Sequence, residues 1–310
     1  MVKPTFRATP IKVTVPATSA NLGPGFDSLA LAVNLFDTYI AQILDDVEFD
    51  IDVVGEGAAD VRTDEKNLII RSMMAGFEFM GGKPRGIALR AMNVIPHGRG
   101  LGSSAAAIVG GLSLSRAIIL SGNERMSDDE LLNLATEIEG HPDNVAAALL
   151  GGATIAWQEI QHGENLARAV KIAVDPRIHV LAFVPKNALS TSKARKLLPE
   201  SISHKDATTN STHTALLVHA LGSRPDLLFT ATQDFLHQEA RKEVMPKSYA
   251  LMSKLRSAGV ASFISGAGPT VLVLHSGDSN EIAQMQQVAG SEFEMKDLGV
   301  SPIGAATINA

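Results

Sequence analysis

Apolar and polar residues alternate in three short stretches of the first third of the chain, and this period of two predicts β-strands. Residues 49–53 and 87–91 carry an apolar side chain at every second position. Residues 11–15 follow the same pattern, and Pro16 is expected to end that strand because a proline cannot donate a hydrogen bond within a sheet. The turn-forming residues at 18–25 then predict a loop, and we expect the strands of this region to pair in an antiparallel arrangement.

Apolar residues spaced three and four apart predict helices elsewhere. The clearest signal lies between Ser127 and Gly140, where Ser127 and Glu130 form a capping box and the glycine stops the helix. Residues 67–80 show a similar pattern, and a third apolar stripe follows Gly102. The remaining predicted elements are a short helix at 145–150, a strand through Trp157, a strand at 179–184, helices at about 206–221, 226–243 and 247–257, and a strand pair around Gly266.

This order of elements predicts an α+β fold with more than one core. A chain of 310 residues exceeds the usual size of a single domain, which favours two domains. Residues 158–176 are charged and less apolar than their surroundings, so we expect the chain to cross between the domains there. The predicted boundaries are 1–170 and 171–310, with an α+β sandwich in the second domain.

Composition excludes several classes of function. The chain has no cysteine, which rules out disulfides, thiolate catalysis and cysteine-bound zinc. Its formal net charge of −6 argues against nucleic acid as the main partner. No apolar run approaches the roughly 20 residues that a membrane-spanning helix needs, and residues 1–10 lack the apolar core of a signal peptide. We therefore expect a cytoplasmic protein, and small polar molecules are suitable substrates.

The run from Pro96 to Ala106 carries the strongest chemical signal. Gly98, Gly100 and Gly102 stand at alternate positions, where glycine lets backbone N–H groups approach an anion. They lead into a predicted helix whose N-terminal dipole favours negative charge. The run lacks the lysine of a P-loop and the third glycine of the dinucleotide-binding fingerprint. It predicts a phosphate cradle of another kind, and a glycine-rich turn capped by serine is the alternative.

Oxygen-bearing side chains beside this cradle are candidates for metal binding. Ser103 and Ser104 begin the helix, where a hydroxyl can cap the helix, touch a phosphate or bind Mg²⁺. Glu139 ends the capped helix and is a candidate metal-facing carboxylate, because a carboxylate at a helix C-terminus needs a compensating cation. The alternative for Glu139 is a solvated residue of the last turn.

A tight polar corner follows Glu139. His141, Asp143 and Asn144 stand close together along the chain, and such a corner can hydrogen-bond a small substrate that has several polar groups. An Asx-type cap on the next helix is the alternative for Asp143. Asn144 can donate or accept a hydrogen bond but cannot act as a base at neutral pH.

Two further features each allow two interpretations. Residues 265–270 form either an ordinary hairpin loop or a backbone segment pressed against the substrate or the cradle. Arg195 and Arg241 are by default charges on helix surfaces, and across a cleft they would be able to clamp a carboxylate.

Taken in order, these motifs resemble the GHMP kinases, the family that includes galactokinase and mevalonate kinase. Residues 96–106 match every fixed position of that family's phosphate loop, Pro-x-x-x-Gly-Leu-Gly-Ser-Ser-Ala-Ala. Residues 15–27 and 139–146 are similar to the branch of the family that phosphorylates homoserine, and residues 265–270 are similar to its third motif. The likeness extends over residues 11–275.

The resemblance implies ATP-dependent phosphorylation of the L-homoserine hydroxyl to O-phospho-L-homoserine, a step of threonine biosynthesis. It implies a fold with an N-terminal domain like that of a ribosomal protein and a ferredoxin-like C-terminal domain. The N-terminal domain would contain a left-handed βαβ crossover, which departs from the usual handedness. ATP and Mg²⁺ are the implied cofactors and L-homoserine is the implied partner. Neither nucleic acid nor a membrane is expected, and a homodimer is left open.

The resemblance also implies a role for each matching residue. Asn67 would lie near the nucleotide base, and Ser104 and Glu139 would hold Mg²⁺. Arg195 and Arg241 would bind the homoserine carboxylate. The triphosphate would lie against Pro96, Gly98, Gly100, Leu101, Gly102, Ser103, Ser104, Ala105 and Ala106. The substrate would be surrounded by Asn21, Asp27, His141, Asp143, Asn144 and Thr191, with Asp27 or Asp143 meeting its ammonium group.

The resemblance implies that Asn144 and Arg195 are the catalytic residues. Asn144 differs from the corresponding residue of the mevalonate kinases, which is an aspartate that can act as a base. We therefore expect catalysis by alignment and charge stabilisation, with the hydroxyl proton passing to phosphate or solvent. Ala147 stands where the family often has proline, which is expected to change little. The alternatives are a kinase for mevalonate-like or shikimate-like alcohols, a non-catalytic ligand-binding regulator, and a dinucleotide-dependent oxidoreductase, which the failed fingerprint disfavours.

Overall fold

Two β-sheets with helices packed against them make up the computed structural model, which describes residues 3–277 and 279–308. The first sheet contains β1 (Ile11–Asn21), β2 (Gly25–Leu44), β3 (Phe49–Gly55), β4 (Gly86–Asn93), β5 (Ala153–Gln161), β6 (Glu164–Ile172) and β11 (Ala306–Ile308). The second contains β7 (His179–Pro185), β8 (Ser262–Ile264), β9 (Val271–His275) and β10 (Phe293–Asp297). The predicted mixed α+β class is confirmed.

The long strand β2 organises the first sheet. It pairs with β1 along one side, and along the other side with β4 at one end and β5 at the other. β6 extends the sheet beyond β5, and β11 pairs with β1, so the end of the chain returns to the first sheet. The second sheet has the antiparallel order β10-β7-β9-β8.

The helices cover these sheets. They are α1 (Leu68–Phe79), α2 (Ser103–Ile118), α3 (Gly122–Arg125), α4 (Asp128–Glu139), α5 (Asp143–Leu150), α6 (Thr191–Arg195), α7 (His204–Ser223), α8 (Leu228–Ala231), α9 (Pro246–Ser257) and α10 (Ser279–Ala289), with short 3-10 helices at Pro225–Leu227, Glu239–Val244 and Gly290–Glu292. α2 and α5 pack on β1 and join an apolar core that includes Val15, Leu31 and Leu112. In the described ranges, no helix combines the length and the hydropathy that crossing a bilayer requires.

The capped helix α4 forms as its local signals predict. The Ser127 side chain accepts a hydrogen bond from the backbone N–H of Glu130, and the Glu130 side chain accepts one from the backbone N–H of Ser127. Gly140 ends the helix in the left-handed region, with φ +95°. This end matters because the last helical residue, Glu139, reaches the site described below.

Replacing Ser127 by alanine is expected to lower the free energy of unfolding by about 1 kcal/mol, because one exposed N–H of the first turn of α4 loses its acceptor. Urea denaturation with an unchanged m-value would report the change. An unchanged denaturation midpoint would show that the cap does not contribute to stability.

Two predictions about the first sheet were wrong. β1 does not end at Pro16: it continues to Asn21, and the register with β2 shifts between Pro16 and Ala17. The shift accommodates a residue without an N–H inside a strand. β3 and β4 are parallel, not antiparallel, because the chain between them returns through α1.

Two predictions further along the chain were also wrong. Residues 158–176 are not a crossing between domains, since most of them form the antiparallel β5–β6 hairpin of the first sheet. Residues 226–243 are not one helix: α8 ends at Ala231, and a separate 3-10 helix begins at Glu239. Asp234 lies in the break, where its carboxylate accepts hydrogen bonds from the backbone N–H groups of Leu236, His237 and Gln238.

Candidate active site

A cavity of about 250 Å³ is lined by loops and helix ends that come from both halves of the chain. The β1–β2 turn, the phosphate loop before α2, the α4–α5 corner, the region of α6 and the loop after β8 all contribute to its wall. It brings together most of the residues predicted for the site, which are Asn21, Asp27, Gly98, Gly100, Gly102, Ser103, Ser104, Glu139, His141, Asp143, Asn144, Thr191, Arg195 and Arg241. Pro96, Leu101, Ala105 and Ala106 are buried and support the loop from behind.

The alternate glycines of the phosphate loop all adopt the left-handed conformation. The φ angles of Gly98, Gly100 and Gly102 are +64°, +75° and +71°. A Cβ on Gly100 would lie 2.2 Å from the carbonyl oxygen of Ser265, so a side chain there would also collide with the second glycine-rich loop. The backbone path of this loop therefore depends on glycine at these positions.

The N-terminus of α2 is open toward the cavity. Its N-cap is Gly102, which offers no side-chain acceptor, and the first turn contains no acidic residue. α1, α4 and α7 each have an Asn or Ser cap that accepts backbone N–H groups, whereas α5 and α9, like α2, have none. What distinguishes α2 is that its first-turn residues Ser103 and Ser104 line the cavity, where uncapped donors and the positive end of the helix dipole favour an anion such as phosphate.

Ser104 and Glu139 face each other beside this helix end. The Ser104 hydroxyl donates a 2.7 Å hydrogen bond to Glu139 Oε1. Burial raises the pKa of Glu139, and the hydrogen bond from Ser104 offsets only part of that effect. Among the described residues, no lysine or arginine forms an ion pair with Glu139. A half-buried carboxylate and a hydroxyl at this separation suit a hard cation.

Any such cation would have few protein ligands. In the ranges that the structure describes, no cluster of three or more His, Asp and Glu side chains forms a metal cage. A Mg²⁺ ion at Ser104 and Glu139 would therefore complete its shell with water and phosphate oxygens, which is its usual mode beside a nucleotide.

The polar corner after α4 is held by Asp143. Its carboxylate is buried and contacts His141 Nδ1 at 2.8 Å and the backbone N–H of Asn144 at 2.7 Å. α5 begins at Asp143 itself, so Asp143 is a first-turn residue and not the N-cap. Burial lowers the pKa of His141, but the hydrogen bond and charge of Asp143 outweigh it and the net pKa is raised.

Asp27 and Arg195 form a bidentate ion pair across the cavity. The two guanidinium nitrogens lie 2.8 Å from the two carboxylate oxygens. Asp27 lies within β2 and has a left-handed backbone, with φ +53°. The family resemblance implied that Arg195 would bind the carboxylate of an amino acid and that Asp27 or Asp143 would bind its ammonium group, whereas here Asp27 and Arg195 pair with each other.

Arg241 is a buried cation. It is 2% exposed and lies in the 3-10 helix Glu239–Val244, so its default assignment to a helix surface was wrong. Its hydrogen bonds go to neutral acceptors: the carbonyls of Ala194 and Gly266 at 3.3 Å and His237 Nδ1 at 3.2 Å. Burial, reinforced by the charge of Arg195, lowers its pKa to about 10. Arg241 therefore remains charged at neutral pH and can attract an anion into the cavity.

Phe26 and His237 complete this end of the site, and neither was predicted. The Phe26 ring lies 5.6 Å from the Arg195 guanidinium carbon and 5.4 Å from that of Arg241. His237 packs on the same ring and joins Arg241 to the carbonyl of Gly23. The position of Phe26 within the motif at 15–27 was a signal for it, while nothing in the sequence pointed to His237.

The loop after β8 presses on the phosphate loop. The Ser265 hydroxyl donates to the carbonyl of Gly100 at 2.5 Å, and the N–H of Gly266 donates to the carbonyl of Ala20 at 3.0 Å. Asn21 uses both ends of its side chain here, donating to the carbonyl of Gly266 and accepting from the N–H of Asp27. Of the two interpretations of residues 265–270, the structure supports the one with a backbone against the cradle.

Asn67 lines a neighbouring cavity of about 310 Å³, which shares Ser103 and Ser104 with the first. Its side chain caps α1 through the N–H of Ile69 and donates to the carbonyl of Arg62, so its polar atoms are already occupied. Tyr39, Leu68 and Ala107 add apolar wall to this cavity.

Two family models, curated relatives and solved structures match this chain. The GHMP kinases N-terminal domain matches residues 67–152, and the GHMP kinases C-terminal domain matches residues 215–289. A homoserine kinase of Streptomyces coelicolor is 47% identical over 99% of this chain and 97% of its own length. One from Streptomyces avermitilis is 46% identical over 99% of both chains. A crystal structure of homoserine kinase from Cytophaga hutchinsonii superposes with a TM-score of 0.83, at 26% identity and 98% coverage of both chains.

Proposed function

Because this chain belongs to the GHMP kinase family, we propose that it uses ATP to phosphorylate the side-chain hydroxyl of L-homoserine. The product is O-phospho-L-homoserine, an intermediate in threonine biosynthesis. The observation that carries the proposal is that one cavity is lined both by the open N-terminus of α2 and by a buried arginine, Arg241. The first fits the phosphates of a nucleotide, and the second fits the carboxylate of an amino acid.

The charges of the site match those of an amino acid. Arg195 and Arg241 would bind the carboxylate, and Asp27 would bind the ammonium group. Binding of the zwitterion would exchange the Asp27–Arg195 ion pair for two ion pairs with the substrate. A carboxylate substrate without an ammonium group would leave Asp27 with no new partner, which favours homoserine over mevalonate-like alcohols.

The nucleotide would span the two neighbouring cavities. Its phosphates would accept hydrogen bonds from the first-turn N–H groups of α2, and its adenosine would occupy the cavity lined by Tyr39 and Asn67. Asn67 would shape that cavity as the cap of α1 and would not bond the base, since both ends of its amide are engaged. Mg²⁺ held by Ser104 and Glu139 would neutralise the charge that develops on the transferred group.

Transfer would proceed without a side-chain base. The substrate hydroxyl oxygen bonds to the γ-phosphorus as the bond to the ADP leaving oxygen breaks, and the hydroxyl proton passes to a phosphoryl oxygen or to solvent. Asn144 would touch the reacting groups and Arg195 would align the substrate. His141, Asp143 and Thr191 would fix the remaining polar contacts.

The reaction would take place in the cytoplasm, where ATP and free amino acids occur together. The predicted boundary at 170 falls inside β6, so the chain would instead divide between the end of β6 at Ile172 and the start of β7 at His179. β11 would be added back to the N-terminal sheet. Sedimentation of the purified protein would detect a homodimer.

A substrate panel tests the proposal. Purified protein is incubated with ATP, Mg²⁺ and, separately, homoserine, mevalonate, shikimate and threonine, and products are identified by mass spectrometry. We expect phosphorylation of homoserine well above that of the other alcohols. Strong turnover of mevalonate with none of homoserine would overturn the substrate, and nucleotide binding without transfer to any alcohol would indicate a non-catalytic protein.

Replacing Arg195 by alanine is expected to raise KM for homoserine by about 10- to 100-fold, because a charge-assisted hydrogen bond is worth about 1.5–3 kcal/mol. KM for ATP should change less than about threefold, since Arg195 faces Asp27 and not the phosphate loop. Lys193→Ala on the same short helix is the control, because its side chain is exposed and outside the cavity. If the variant lost ATP binding and homoserine binding equally, Arg195 would not be the residue that binds the homoserine carboxylate.

A further inference from the structure

The side chain of Thr18 is buried between the phosphate loop before α2 and the polar corner after α4. It is 0% exposed, and its hydroxyl donates a 2.8 Å hydrogen bond to Asn144 Oδ1. Its backbone N–H donates to the carbonyl of Leu101 in the phosphate loop. A Cβ on Gly102 would lie 2.0 Å from Thr18 Oγ1 and 3.3 Å from Asn144 Oδ1. One hydroxyl thus contacts both the start of α2 and the side chain of Asn144.

The direction of this hydrogen bond fixes the orientation of the Asn144 amide. A buried hydroxyl needs an acceptor, and in the described part of the chain Asn144 Oδ1 is the acceptor of the Thr18 hydroxyl. If the amide turned over, its NH₂ group would face the hydroxyl and the hydroxyl proton would lose that acceptor. Asn144 lines the cavity, and with its Oδ1 bonded to Thr18 the donor that its side chain can offer there is Nδ2.

We propose that Thr18 is a positioning residue, which holds Asn144 so that its Nδ2 donates a hydrogen bond to the oxygens reacting in the cavity. This inference rests on the proposed function and specifies the role of Asn144 within it. Asn144 then stabilises negative charge on the attacking or transferred oxygen and takes no part in proton removal. A carboxylate presents two equivalent oxygens and needs no such orientation, whereas an amide has two different ends. The hydrogen bond from Thr18 therefore determines which end of the Asn144 amide faces the cavity.

Replacement of Thr18 by valine tests the role of the hydroxyl, because valine keeps the branched shape in the strand and removes only the donor. We expect kcat to fall about tenfold, with KM for ATP and for homoserine each within about threefold of the wild-type value. Thr18→Ser keeps the hydroxyl and should retain kcat within about threefold. Thr14→Val on the same strand is the matched control, since Thr14 lies outside the cavity, and should leave kcat unchanged.

A double-mutant cycle separates positioning from a general structural effect. If Thr18 acts through Asn144, then Thr18→Val should not lower kcat further in an Asn144→Ala background. An equal loss in both backgrounds, a wild-type kcat for Thr18→Val, or a tenfold loss for Thr18→Ser would each overturn the inference. If the valine variant does not fold, the same cycle is run with Thr18→Ala.

The alcohol substrate used in the double-mutant cycle is chosen from the results of the substrate panel with the wild-type protein. If homoserine is not phosphorylated but another alcohol is, the proposed substrate fails, and the cycle on that alcohol still decides the role of Thr18. The two failures are therefore distinguishable.

Discussion

Replacing Gly102 by alanine is expected to lower kcat/KM for ATP by about 100-fold or more, the largest effect predicted for a single methyl group. Two causes act together at this position. Gly102 has φ +71°, which costs a residue with a Cβ roughly 1–2 kcal/mol. The new Cβ would also lie 2.0 Å from Thr18 Oγ1. The chain would relieve both by moving the first turn of α2, and the N–H groups that bind phosphate would move with it.

The control for Gly102→Ala is Gly163→Ala in the β5–β6 turn. Gly163 also has a positive φ, of +85°, but no atom lies within 4 Å of an added Cβ. The control should lose only the roughly 1–2 kcal/mol that the positive φ costs, and it should keep its kcat/KM. If Gly102→Ala keeps full activity, the start of α2 does not hold the nucleotide, whatever else the cavity binds.

Replacing Glu139 by glutamine is expected to lower kcat by about 100-fold at limiting Mg²⁺, because the metal would lose its one charged protein ligand. The Ser104 hydroxyl can still donate to the amide oxygen of glutamine, so the local packing is retained. Raising the Mg²⁺ concentration should restore part of the loss. The measurement is kcat as a function of free Mg²⁺ concentration for the variant and the wild type.

Glu137→Gln provides the matched control for Glu139, since it makes the same change on the same helix at an exposed position outside the active-site cavity. It should leave the Mg²⁺ dependence of kcat unchanged. Identical Mg²⁺ dependence of the Glu139→Gln variant and the wild type would exclude Glu139 from the metal site.

Local signals in the sequence predicted the parts of the site that depend on neighbouring residues. The capping box of α4 involves residues three apart, and together with the terminal glycine it defines a helix whose last residue is Glu139. The alternate glycines of the phosphate loop were predicted to let the backbone approach an anion, and all three adopt the left-handed conformation that glycine favours. In both cases the residues that determine the local structure lie within about four positions of one another along the chain.

Contacts between distant residues could not be predicted in this way. Asp27 and Arg195 are 168 residues apart, and nothing in either local pattern indicates that they form an ion pair. The burial of Arg241 likewise depends on the break between α8 and the following 3-10 helix, which the apolar pattern of residues 226–243 did not show. Strand pairing has the same limit, since β3 and β4 are parallel only because of the path through α1.

A crystal structure with a non-hydrolysable ATP analogue, Mg²⁺ and L-homoserine would show directly where each substrate binds. We expect the terminal phosphates within hydrogen-bond distance of the backbone N–H groups of Ser103 and Ser104, with the homoserine carboxylate on Arg241 and its hydroxyl beside Asn144. Nucleotide bound elsewhere in the molecule, with the N-terminus of α2 free of phosphate, would contradict this expectation.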